Sequence, residues 1–145
     1  MAGVEKRLSI TGDAALQIMT KVYERANEMG KAVYIAVTDG AGGLVGLLGH
    51  EKCPVMCRKV AQDKAYTAFA TRMKTARWKA YVYSCPEDDK QVMISQPGFI
   101  AASGGAPIMV DGIVAGGIGV SGAGQKEDED LADYGAALIG ELCPA

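Results

Sequence analysis

One histidine, at position 50, is all the sequence holds, and none of its four cysteines (53, 57, 85 and 143) forms a C-x-x-C pair. Structural zinc sites ask for four ligands and catalytic ones for three plus water. Local zinc chemistry therefore has one place to go, the H-x2-C-x3-C run of His50, Cys53 and Cys57, which lacks a nearby fourth ligand and carries Pro54 between its thiols. A basic excess is also missing. Lys and Arg number 15 against 17 Asp and Glu, a formal net charge of −2, which argues against a general nucleic-acid binder. There is no run of 18 apolar residues, so no membrane span is expected. The opening "MAGVEKRLSITG" has no apolar h-region, so no signal peptide is expected. On that basis the thiols are read as reduced and the protein as cytoplasmic. Aromatic residues make up only 6% of the chain, a thin supply for lining a large flat pocket.

What is abundant is glycine, 19 residues clustered at 40–49, 104–105 and 112–124. A chain of 145 residues reads as one domain, 1–145, large enough to bury its own core. Ala15, Met19, Val22, Ala26 and Met29 recur at steps of four and three, which predicts a helix over 12–29 ended by Gly30 at C′. "KAVYIAVTD" alternates Val33, Ile35 and Val37 against Tyr34, Ala36 and Thr38, a strand. With "LVGLLG" after the "DGAGG" turn it makes a hairpin. A second helix is expected over 55–73, with a stripe of small residues at Cys57, Ala61, Ala65 and Ala68. Residues 78–84 read as strand or loop, and 91–96 as strand or short helix. Asp111-Gly112 between apolar runs signals a type I′ turn and a second hairpin. The acidic run at 126–130 reads as a solvated helix start. Hairpins between helices imply an α+β domain.

Gly117, Gly119 and Gly122 match G-x-G-x-x-G, the turn that holds a dinucleotide's pyrophosphate. That motif needs a βαβ unit, and the 23 residues after Gly122 leave room for one helix and no returning strand. Four carboxylates at 127–130 would also repel a pyrophosphate at the helix start. Glycine inside a strand costs stability and calls for a close approach. The expected reason here is a tightly packed helix, with a ligand as the alternative.

"AQDKAYTAF" (61–69), the G-G-x-P-I segment before the Asp-Gly turn, and "GIGVSG" followed by an acidic helix start come in that order, with the "VTDGAGGLVGLL" hairpin upstream. Together these motifs resemble the GlcG/HbpS-like family, which includes the C-terminal domain of PduO-type proteins, over nearly the whole chain. The resemblance implies a profilin-like α+β fold, a five-stranded antiparallel sheet flanked by helices. It implies homo-oligomers, dimers building to larger rings or octamers. Some members bind haem, some are described as haem-degrading, and others belong to glycolate or diol operons without a settled role. The resemblance does not extend to the adenosyltransferase domain of PduO-type proteins, so corrinoid adenosylation is not expected of these residues. Where many relatives read R-M-D-G-A after the second strand, this chain reads "GHEKCPV".

Against that background His50 is a candidate haem-iron ligand or a general base, with a hydrogen-bonded loop histidine as the plain alternative. Glu51 beside it is the second candidate for acid–base work. Arg58 and Lys64 are candidate partners for a ligand carboxylate, such as a haem propionate or a small organic acid. Lys64 has a structural alternative, as has Asp63, which sits four residues from Lys59 as a surface pair. Gly104 and Gly105, in the turn before Pro107, offer backbone N–H groups to an anion or simply connect two elements. Tyr66 reads as core, with a pocket wall as the alternative. The sequence thus supports a small-ligand-binding oligomer, for haem or a flat cofactor. A cofactor-free enzyme acting on a small organic acid, and an accessory oligomer without chemistry, are the alternatives.

Overall fold

The computed structural model describes residues 3–143. Helix α1 (Gly12–Glu28) opens at Thr11, whose hydroxyl accepts the Ala14 N–H at 3.1 Å. It closes at Gly30, where a positive φ lets the Lys31 N–H return to the Ala26 carbonyl. Its buried stripe is Ala15, Ile18, Met19, Val22 and Ala26. Strands β1 (Tyr34–Thr38) and β2 (Leu44–Gly49) form the first hairpin. Helix α2 (Met56–Thr71) follows, then the last hairpin, β3 (Gly105–Val110) and β4 (Ile113–Ser121). Asp111 and Gly112 both take positive φ, as a type I′ turn requires. Helices α5 (Gln125–Ala137) and α6 (Ile139–Leu142) complete the chain.

The described residues form one antiparallel sheet of four strands, in the order β2-β1-β4-β3. The five-stranded expectation is corrected here. Residues 78–84, read as strand or loop, lie in helix α3 (Thr75–Ser84), and of the two readings of 91–96 the helical one holds up to Ile94, in α4 (Glu87–Ile94). The buried positions of α3 are Thr75 and Val82, seven apart, which share a helical face and not a strand face. In α4, Pro86 precedes Glu87, Asp88 and Asp89, acids that suit a helix N-terminus.

Because successive strand side chains point to opposite faces, the sheet builds two layers. One face carries Ile35, Val37, Ile108, Ile118 and Val120 against Ile18 and Val22 of α1 and Leu131 of α5. The other face carries Ala36 against Ala61 and Ala65 of α2. There the strand glycines find their reason. A Cβ on Gly117 would overlap the Ala65 carbonyl oxygen, and one on Gly119 would overlap that of Ala61. The small stripe of α2 lies directly on these two glycines, so Gly117 and Gly119 of the G-x-G-x-x-G run are a helix-packing surface, while a Cβ on Gly122 would meet the Ala32 carbonyl oxygen at 2.6 Å.

Candidate functional site

His50 follows β2 and is only 8% exposed. Three elements meet around it: the end of α1, the residue before β1, and the end of β2. The Val33 N–H donates to Nδ1 at 3.1 Å, and the Asn27 side-chain oxygen lies 2.7 Å from Nε2. These two contacts place the proton on Nε2. The Tyr23 ring stacks on the imidazole, with centroids 3.8 Å apart and planes 3° from parallel. A second arrangement is built in. The Val33 carbonyl lies 3.2 Å from Nδ1, so an Nδ1–H tautomer has an acceptor once Asn27 turns its oxygen away. A backbone carbonyl behind the non-ligating nitrogen is what orients a metal-binding imidazole. His50 thus has a fixed ring plane and an acceptor for either tautomer, and exposed Asn27 is the group that must yield before Nε2 is free to bind a ligand.

The imidazole borders a cavity of about 290 Å³ shared with Asn27, Gly30, Lys31, Ala32, Glu51 and Lys52. Glu51 is exposed at its rim, so His50 and Glu51 do come together. The two lysines make the rim cationic. The other candidates lie elsewhere. Arg58 is exposed, with its guanidinium 5.6 Å from the centre of the Tyr34 ring.

Lys64, Gly104 and Gly105 form a separate, closed cluster. The Lys64 ammonium donates to the Val120 carbonyl at 2.9 Å and to Asp128 at 3.2 Å. Asp128 in turn accepts the Ala123 N–H at 2.9 Å. Burial pulls the Lys64 pKa down, and the Asp128 charge pulls it partly back. A Cβ on Gly104 would lie 2.8 Å from the Lys64 ammonium nitrogen, so that glycine makes room for the pair. The Gly105 N–H is already given to the Thr75 hydroxyl at 2.8 Å. The cluster joins α2, β4 and α5 and lines none of the cavities described here. Asp128, read in the sequence as part of a solvated acidic start, is buried. Its pairing across 64 residues of chain leaves no local signal.

No group of three or more His, Cys, Asp or Glu side chains suited to a metal ion occurs among the described residues. The H-x2-C-x3-C run therefore does not close into a zinc site. Cys53 is buried and donates toward the Ser121 carbonyl at 3.7 Å. Burial and the neighbouring Cys57 thiol push its pKa up to about 11. Since the thiolate is the reactive form, iodoacetamide at about pH 8 is expected to modify Cys53 last and exposed Cys143 first. Peptide mapping over time would show the order, and early labelling of Cys53 would contradict it.

An antiparallel sheet clad by helices on both faces, with one oriented imidazole at the edge of a cationic cavity, defines a small α+β domain. The chain belongs to the family described as haem degrading protein HbpS-like, whose model matches residues 10–137. It is 27% identical to protein GlcG of Escherichia coli K12 over 118 residues, covering 81% of this chain and 85% of that one. Its fold matches a double mutant of HbpS from Streptomyces reticuli with a TM-score of 0.86 and 26% identity, over 97% of this chain and 93% of that one. It also matches a structure titled as a complex of PduOC with heme, with a TM-score of 0.79 and 22% identity, over 90% and 94% of the two chains. No helix among the described residues is long and apolar enough to cross a membrane.

Proposed function

We propose that this chain binds haem, or a flat cofactor of that kind, as a homo-oligomer, and that His50 would hold its iron. The observation that carries the reading is the backbone carbonyl of Val33 behind Nδ1, together with the family's description. Lys31 and Lys52 at the same cavity are the partners for propionate groups, and Glu51 is the proton carrier beside them. When bound, haem supplies electron-transfer and oxygen chemistry. The protein's own part is to fix the imidazole plane by stacking on Tyr23 and to offer the Val33 carbonyl to the Nδ1–H tautomer that leaves Nε2 open.

A cavity of about 290 Å³ lies at the lower limit for small-molecule sites. In this reading a second copy of the chain completes the enclosure. Support for association comes from α3 and α4, which leave Tyr81, Tyr83, Val92 and Ile94 exposed. Helix α4 has eight residues and no buried one, too little to hold a helix without tertiary contacts.

Titrating haemin into the protein while following visible absorbance tests the reading. A Soret band saturating at one haem per chain or per pair of chains supports it, and a linear, unsaturable rise overturns it. Asn27 competes for Nε2, so Asn27→Ala is expected to bind haemin about fivefold more tightly, the worth of roughly one hydrogen bond. Weaker binding by that variant would contradict the assigned ligand atom.

A further inference from the structure

A different cavity, of about 330 Å³, opens between the β1–β2 turn, the exposed side of α2 and the loop at 97–98. Thr38 at the end of β1 lines it. That side chain is 2% exposed, and its hydroxyl has no hydrogen-bond partner among the described residues. Buried polar groups are almost always paired, and valine would serve a buried strand position at no such cost. That hydroxyl is therefore a donor that the described residues do not use.

The remaining walls describe that partner. Leu44, Tyr66 and Pro97 give the cavity apolar sides. Lys59 and Asp63, paired with each other at positions i and i+4, put a cation and a carboxylate at its mouth. The loop wall is held in place from behind. The Thr67 hydroxyl donates to the Gly98 carbonyl at 3.3 Å and accepts the Ile100 N–H at 3.0 Å, and the Phe99 ring packs edge-on against Tyr66. A cavity held this way is shaped before a ligand arrives.

We propose that this cavity binds a small hydroxy-carboxylate, with Lys59 taking the carboxylate and the Thr38 and Asp63 side chains bonding the ligand's hydroxyl. Thr38 donates to the hydroxyl oxygen and Asp63 accepts its proton. The apolar walls cover a short carbon skeleton. None of these residues borders the His50 cavity, so the site stands apart from haem binding.

Matched pairs of acids test it: lactate against propionate, and 3-hydroxybutyrate against butyrate, titrated by calorimetry into haem-free protein. At least one hydroxy acid is expected to bind about ten- to hundredfold more tightly than its deoxy partner. Thr38→Val is expected to abolish that preference without lowering Tm, while Thr38→Ser, which keeps the hydroxyl, retains it. Lys59→Met is expected to weaken both members of a pair. Equal binding within both pairs, no binding of either hydroxy acid, or an undiminished preference in Thr38→Val would each overturn the proposal. If Thr38→Val does not fold, the matched pairs on the native protein decide alone.

Discussion

Asp128→Ala is expected to destabilise the protein by about 3–5 kcal/mol, the usual cost of stranding one member of a buried ion pair. The reason lies in the accounting around Lys64. Both side chains are almost fully buried, and the ammonium has the Asp128 carboxylate and the Val120 carbonyl as its named partners. Removing the carboxylate leaves a positive charge under β4 with one carbonyl to hold it, and also frees the Ala123 N–H. For a domain of this size the loss lowers Tm by about 10 °C or more. Lys64→Met combined with Asp128→Ala is expected to recover most of that, since no charge is left unpaired. Thermal unfolding of the single and double variants separates the cases. A double variant as unstable as Asp128→Ala would show that packing, not charge, dominates.

Gly119→Ala is expected to cost about 3 kcal/mol or more, at the upper end for overpacking. The added Cβ would overlap the Ala61 carbonyl oxygen and lie 2.5 Å from the Ala65 nitrogen and 2.9 Å from the Lys64 Cβ. Two of these are backbone atoms of α2, so no side chain can rotate away and the helix must lift from the sheet. Gly140→Ala is the control. A Cβ there meets nothing within 4 Å among the described residues, and alanine favours a helix, so the change is expected to be neutral or slightly stabilising. Equal unfolding midpoints for the two variants would refute the packing role given to β4.

These two effects also mark the limits of what the sequence reveals. Elements with a local pattern were legible: the α1 stripe, the alternation in β1, the Asp111-Gly112 turn, and the small stripe of α2 that answers to the glycines of β4. Helix α3 was not, and α4 was legible only as one of two alternatives. Their exposed apolar residues follow no single face, since α4 buries nothing within the chain and α3 buries two positions. A pattern can only announce a face that this chain itself covers. The site was half legible. His50, Glu51 and their cavity agree in place, because they are neighbours in sequence. Asn27, Tyr23 and Val33, which fix the imidazole, come from 17 to 27 positions away and carry no motif. Lys64 was singled out, but its partner was hidden in an acidic run where three of four neighbours read the same way. Thr38 gave no signal at all, since threonine is ordinary in a strand and only its unanswered hydroxyl sets it apart.

The most direct test of the central claim is a haemin titration of the native protein and His50→Ala side by side, followed by visible absorbance and checked by circular dichroism for folding. The account predicts a saturating Soret shift in the native protein that is lost in a folded His50→Ala. A shift of the same position and affinity in both proteins would contradict it, because the imidazole held by Val33 and Tyr23 would then have no part in holding the haem.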